Sequence, residues 1–157
     1  MKYIKKYESS KFDQIDFINA VSDNYVSKVK DIMDNNPDVD FDFAYNQGYT
    51  PLLYAVLFNC NDVLKLLIDW GADVNKLNDK DDSALIIAST RSNLKTLKIL
   101  IDAGVNWNHV NRDQNSPHYN RDFIFYLSSV NKQKIIKKYP EKYKDYLIKK
   151  DVEKYNL

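Results

Sequence analysis

His109 and His118, with Asp113 between them in the string HVNRDQNSPH, are the residues of this chain best suited to hold a metal ion. A loop can gather three such ligands, yet their spacing is neither a helical pair nor a closed zinc set, so no metal is expected. Cys60 is the single cysteine, which excludes an intrachain disulfide framework and a thiolate cluster. It sits at a turn with no base nearby in sequence, and a nucleophilic thiol needs an activating partner. Carboxylates are plentiful but fall in polar segments, Asp38, Asp40 and Asp42 in one and Asp79, Asp81 and Asp82 in the next. A general acid needs burial or a close like charge to keep its proton, and a solvated loop tip offers neither. The string NDKDD lacks the twelve-residue calcium arrangement and its closing Glu. No Gly-rich phosphate cradle, nucleophile elbow or H-E-x-x-H occurs. The chain reads as noncatalytic and without a cofactor.

The 157 residues, 44% hydrophobic and 29% charged, fit one compact domain. A net charge of +1 gives no bulk electrostatic case for a polyanion binder. The first residues, MKYIKKYESSKFDQ, are basic but lead into no apolar core of a signal peptide, and no apolar run is long enough to span a bilayer. A cytoplasmic, intracellular location is expected, a host cell's interior included. Charge is unevenly placed, with ten Asp against three Lys from Asp34 to Asp82, and nine Lys against four acids from Lys132 to Lys154.

The elements that position these residues come from an internal repeat. At an offset of 33, GYTPLLYAVLFNCNDVLKLLIDWGADVN (48–75) matches DDSALIIASTRSNLKTLKILIDAGVNWN (81–108). Thr50 falls on Ser83, Leu52 on Leu85, Ala55 on Ala88, Leu67 on Leu100, Gly71 on Gly104 and Asn75 on Asn108. Thr50 and Ser83 are helix N-cap residues, and Pro51 suits the first helical position, whose N–H would be unpaired in any case. Val63, Leu64, Leu66 and Leu67, then Leu94, Leu97, Leu100 and Ile101, form apolar stripes at spacings of three and four. Helices are therefore expected over Tyr54–Phe58 and Asp62–Asp69, and over Ala84–Thr90 and Lys95–Asp102. Gly71 and Gly104 should leave each second helix through a left-handed conformation. A helix pair this small cannot bury its apolar face alone, so stacking must supply the core.

The strings GYTPLLYA and VLKLLIDWGADVN resemble the ankyrin repeat, whose pattern joins glycine, T-P-L, alanine, a leucine-rich second helix and G-A-D-V-N. The resemblance implies an all-α solenoid of antiparallel helix pairs with projecting hairpin loops, here about four pairs over 13–47, 48–80, 81–113 and 114–138. Upstream, an offset of 35 places Phe17 with Leu52, Ala20 with Ala55 and Asn36 with Gly71, the two extra residues lengthening the first finger at DFDFAYNQ. Downstream, Ser116 and Pro117 fall in frame with Thr50 and Pro51, which puts Arg121 at the small core position of a closing unit. Residues 1–12 read as an N-terminal extension. Pro140 permits a capping helix within 139–157, with Tyr143, Tyr146, Leu147 and Ile148 covering the open end.

The resemblance further implies a noncatalytic scaffold or adaptor that is monomeric when free and holds a protein on its finger side. Carried over position by position, the partner-facing residues are Asn46, Gln47, Tyr49, Leu57 and Phe58, then Asp79, Lys80, Asp82, Thr90 and Arg91. In the degenerate unit they are Arg112, Asp113 and Asn115, with Phe123 and Ile124. Large apolar side chains ringed by acidic fingers would suit a partner presenting a basic rim around an apolar anchor. Two other readings of Leu57 and Phe58 stand beside this, that the long first finger with Phe41 and Phe43 covers them, or that they are core. The Lys/Tyr-rich string KKYPEKYKDYLIKK offers a disfavoured alternative, nucleic-acid or anionic-surface binding through phosphate contacts and base stacking. A capping helix needs the same interleaving, with tyrosines inward and lysines out.

Overall fold

The computed structural model describes residues 12–155, so of the expected N-terminal extension all but Phe12 lies outside the described residues. Among the described residues, nine α-helices run in chain order: α1 (Gln14–Ser22), α2 (Val26–Asn35), α3 (Pro51–Leu57), α4 (Asn61–Asp69), α5 (Ala84–Thr90), α6 (Leu94–Asp102), α7 (Phe123–Tyr126), α8 (Ser129–Lys138) and α9 (Pro140–Tyr155). Among the described residues there is no strand, only an isolated antiparallel bridge between Tyr45 and Tyr49. The first helices α1, α3, α5 and α7 pack in one row, and α2, α4 and α6 in a second behind it. None of these helices is long and apolar enough to cross a membrane.

Each pair is built by the same local chemistry. Thr50 Oγ1 accepts from the Leu53 N–H at 3.2 Å and Ser83 Oγ from the Ile86 N–H at 3.3 Å, each satisfying a donor that has no partner within its helix. The two helices of a pair meet at a left-handed residue, Asn24, Asn59 or Ser92, with φ of 54°, 60° and 55°. Gly71 and Gly104 take φ of 92° and 84° after α4 and α6, the conformation an unbranched backbone adopts at least cost. Asn36, aligned with them, has φ −132° and ψ 57° rather than a positive φ, so the first unit ends differently.

The core is one continuous cluster running through the stack, with Phe17, Leu53, Leu64, Leu67, Ile86, Leu97, Leu100 and Ile101 fully buried. The residues added to the first finger close its N-terminal end. Phe41 lies 4.9 Å from Phe17 and 5.6 Å from Phe12 between ring centroids, and Phe43 lies 5.8 Å from Phe12.

The fourth unit departs from the expected frame. Ser116 and Pro117 lie in a turn, and the helix begins six residues later, with Asp122 as its N-cap and Asp122 Oδ1 accepting from the Phe125 N–H at 3.0 Å. Asp122 thus holds the place of Thr50 and Ser83. Arg121 precedes the helix rather than occupying a core position, and its guanidinium lies 3.7 Å from the centroid of the Phe125 ring. The inserted loop is fixed to the preceding finger, with the Asn111 N–H donating to the Arg121 carbonyl at 3.0 Å and the Asn120 N–H to the Asn111 carbonyl at 2.7 Å.

Helix α9 closes the far end with its tyrosines. Tyr146 is buried and its hydroxyl donates to Asp122 Oδ2 at 2.8 Å, while Lys150 pairs with the same oxygen. Leu147 and Ile148, expected in the cover, are instead exposed, because the helix turns Tyr143 and Tyr146 inward and those two positions lie on another face. Burial pulls the Asp122 pKa upward, but hydrogen bonds from Lys150 and Tyr146 outweigh it and hold the carboxyl below its ordinary range. Burial pushes the Tyr146 hydroxyl up to about 12.

Two stability measurements follow from this packing. Leu67→Ala should lower unfolding stability by about 2 to 5 kcal/mol through the cavity it leaves, read from a denaturant midpoint; an unchanged midpoint would mean the stripe does not face the core. Asp122→Asn keeps a capping oxygen but loses the charge facing Lys150, so it should cost about 1 to 2 kcal/mol at neutral pH, allowing for the exposure of Lys150. A depressed carboxyl stabilises the fold above its unfolded pKa of about 3.9 and loses that advantage as pH falls through the folded value. The gap between wild type and Asp122→Asn should therefore close below about pH 4. A constant gap would show that the charge contributes nothing.

Candidate functional site

The fingers are organised by two side-chain positions that recur with the repeat. In DFD (40–42), DVN (73–75) and NWN (106–108), the first residue folds its own loop: Asp40 Oδ1 accepts from the Asp42 N–H, Asp73 Oδ1 from Asn75 and Asn106 Oδ1 from Asn108, at 2.8 to 2.9 Å. The third residue reaches the next unit. Asp42 Oδ2 accepts from the Asp73 N–H at 2.9 Å, and Asn75 Oδ1 from the Asn106 N–H at 2.7 Å. The ladder stops at Asn108, whose side-chain oxygen is buried without a partner among the described residues.

The finger tips carry a second ladder. Asp79 donates its N–H to the Gln47 carbonyl at 3.0 Å, and Gly48 beside it has φ 73° and no room for a Cβ against Asp79. Asn78 Oδ1 accepts from the N–H groups of Lys80 and Asp82 at 3.0 and 2.9 Å. Its equivalent, Asn111, is fully buried and donates to the Lys80 carbonyl at 2.6 Å, to Asp82 Oδ1 and to Ser116 Oγ. Asp82 also receives the His118 ring at 2.8 Å. His109 instead lies 2.7 Å from the Asp81 carbonyl. The two histidines thus fasten the loop of residues 109–121 to the finger before it, each on a different aspartate. The described residues hold no group of three His, Cys, Asp or Glu able to bind a metal. Burial raises the Cys60 thiol pKa, and its Sγ lies 3.2 Å from the Ser22 carbonyl, so the group is packed as a thiol between units.

Asn46 and Gln47 are exposed in the turn before α3, Gln47 at φ 57°. Asp79, Lys80, Thr90, Arg91, Arg112 and Asn115 are likewise exposed, and Asp113 is half-buried. Asp82 does not belong to an outer face: it is 3% exposed and its carboxylate is taken by Asn111, Ser116 and His118. Phe123 and Ile124 are buried core residues of α7, a consequence of the six-residue shift. Several finger carboxylates are also engaged within the chain, since Asp42, Asp73 and Asp81 accept backbone N–H groups.

What the fold does assemble is an aromatic row along α3. Tyr45 and Tyr49 flank Tyr54 at centroid distances of 6.1 and 5.5 Å, and Tyr54 lies 6.3 Å from Phe58 with the two rings nearly parallel, 9° apart. The spacing of four along one helix puts Tyr54 and Phe58 on the same face. Phe58 is 52% exposed. Phe41 and Phe43 lie against Phe12 and Phe17, so the first finger is engaged at the N-terminal end and leaves Phe58 open. Leu57 is half-buried and packs on the core. Burial raises the Tyr49 hydroxyl pKa, and Arg91 is close enough to lower it in part, which links the row to the next unit.

Asn78 and Asn111, which are not among the candidate residues, stand 33 apart and so share the repeat's register, the one sequence signal that marks them. Their amides join the finger carboxylates in setting the shape of the finger tips.

Residues 17–114 match the family described as Ankyrin repeats (3 copies). An ankyrin repeat protein of Fowlpox virus is 30% identical over 120 residues, 76% of this chain and 34% of the viral protein. Human inversin is 34% identical over 70 residues, 45% of this chain and 7% of inversin. The Drosophila melanogaster transient receptor potential cation channel subfamily A member 1 is 40% identical over 58 residues, 37% of this chain and 5% of the channel. The chain therefore spans about a third or less of the length of these relatives.

The finger account gives a direct check. Asn111→Ala removes a buried donor and leaves the Lys80 carbonyl and Asp82 carboxylate short of a partner, so it should cost roughly 1 to 3 kcal/mol. Amide exchange should rise across residues 78–82 and 111–121 together. A rise confined to the altered loop would show that the two segments are not held by this amide.

Proposed function

Because the chain belongs to the ankyrin-repeat family, we propose that it is a noncatalytic scaffold or adaptor that captures another protein on its finger side through the aromatic row of α3. The observation that supports this reading most is Phe58, a large apolar ring half exposed at the end of a packed aromatic row. A ring already ordered by its neighbours loses little entropy on binding, and such rigid aromatic anchors dominate affinity when a partner desolvates them. The same ring faces accept cations. A partner with lysine or arginine around an apolar projection would therefore meet both the ring row and the exposed carboxylate of Asp79. Asn46, Gln47, Tyr49, Lys80, Arg91 and Arg112 would form the polar rim that selects among partners.

The nucleic-acid alternative through α9 has less to work with. Tyr146 is buried, Tyr139 donates its hydroxyl to Asp102 at 2.7 Å, and Tyr143 stacks on Tyr146 at 5.9 Å. Base stacking needs free aromatic faces, and these are used in closing the stack.

Capture from the native cell extract with immobilised protein tests the proposal. Phe58→Ala should release the main partner while the protein stays folded, with a stability cost of only about 1 kcal/mol because half the ring is already in water. Lys149→Ala should retain it. Lys150 is unsuited as the control because it pairs with the buried Asp122. Retention by Phe58→Ala with loss in Lys149→Ala, abolished when wild-type extract is treated with nuclease, would transfer the function to nucleic-acid binding.

A further inference from the structure

A groove of about 530 Å³ opens between α7 with the start of α8 on one side and α9 on the other. Its apolar lining includes Ile124, Phe125, Leu127, Tyr143 and Leu147, of which Phe125 is 59% and Leu147 42% exposed. The size falls within the range of about 300 to 1,000 Å³ of clefts that hold ligands. Its far wall follows from two features established above, the late start of α7 and the rotation of α9 that turns its tyrosines inward and leaves Leu147 outward.

The charge around this floor is of one sign. Arg121 and Lys132 stand at the rim, and Lys150 neutralises the one carboxylate there, Asp122. Asp122 is saturated by the Phe125 N–H, the Tyr146 hydroxyl and Lys150, so it does not repel an incoming anion as a bare carboxylate would. The Arg121 guanidinium carbon lies over the Phe125 ring, 3.7 Å from its centroid. A guanidinium stacked on a ring keeps its N–H edge free for bidentate contact with a carboxylate. Across residues 129–151, eight lysines stand against three acidic residues.

We propose that this groove is a second docking surface, independent of the aromatic row, and that its occupant is an acidic amphipathic helix of a protein partner. The walls are mostly helical, and the described residues present no strand edge to extend. Recognition must then come from side chains entering the groove, the mode in which an amphipathic helix lays its apolar face between two others. Glutamates or aspartates beside that face would meet Arg121 and Lys132. The exposed groups are a phenylalanine and a leucine, which match apolar side chains; of the tyrosines that would stack on bases, Tyr146 is buried and Tyr143 is stacked on it.

Fluorescence anisotropy on the whole protein provides the test, with a labelled synthetic helical peptide carrying leucines three and four apart and glutamates elsewhere. Saturable binding is expected, weakened roughly tenfold or more by Leu147→Asp and by Arg121→Ala, and unchanged by Phe58→Ala. Both altered side chains reach solvent, and circular dichroism with the denaturation midpoint confirms folding. A peptide of the same composition with the leucine spacing permuted should bind at least as weakly as the variants allow. Absence of saturable binding overturns the proposal, as does binding that ignores Leu147→Asp. Preferential binding of labelled oligothymidine, or of phosphatidylserine-containing vesicles, lost in Arg121→Ala, overturns it in favour of an anionic surface of another class. Loss of peptide binding in Phe58→Ala would place the peptide on the aromatic row instead and also overturn the second site.

Discussion

Helices of seven and nine residues are too short to be stable alone, and no pair of them can bury its own apolar stripe. Everything else in the structure answers this constraint, because each unit must hold its neighbour at a fixed distance and rotation. The apolar contacts supply most of the free energy but are not directional. Register comes from short polar side chains: Asp42 to the Asp73 N–H, Asn75 to the Asn106 N–H, and the Asn59 and Asn61 side-chain oxygens accepting from Asn93 and Thr96 at 2.8 Å. These bonds replace water partners that stacking would otherwise remove.

A stack has two ends, and this chain closes them by different means. The N-terminal end is covered by aromatic residues, with Phe41 and Phe43 of the lengthened first finger packed on Phe12 and Phe17. The other end is closed by a shortened pair and a long helix held on a buried carboxylate. Outward-facing chemistry is what remains after both closures. Most finger aspartates are engaged within the chain, while Phe58 on one face and the Phe125–Leu147 floor on another are left to solvent.

The middle units were legible because every feature of the repeat is local. A cap, a small residue, a leucine stripe and a glycine each leave their mark within 33 residues, and α3 to α6 form where those marks fall. The fourth unit was misread for a physical reason. Ser116 and Pro117 make a respectable cap and first turn, and only the tertiary grip of Asn111 on Lys80, Asp82 and Ser116 shows that they form a loop instead. Asp82 was misplaced in the same way, since an aspartate in a polar string looks solvated until its partners from residues 111–118 are in place. The exposure of Leu147 depends on which face of α9 meets Asp122, a choice that the sequence of the helix alone does not disclose. Phe58 could be placed on a helix face from spacing, but its freedom from the first finger required knowing where Phe41 and Phe43 pack.

Partner capture on the finger side is the centre of this account, and hydrogen–deuterium exchange of the chain with and without its captured partner measures it most directly. Protection should appear across residues 45–58 and 79–91, where the aromatic row and the adjoining finger lie, with α8 and α9 unchanged. Protection confined to residues 129–151, with 45–58 exchanging as in the free chain, would contradict it.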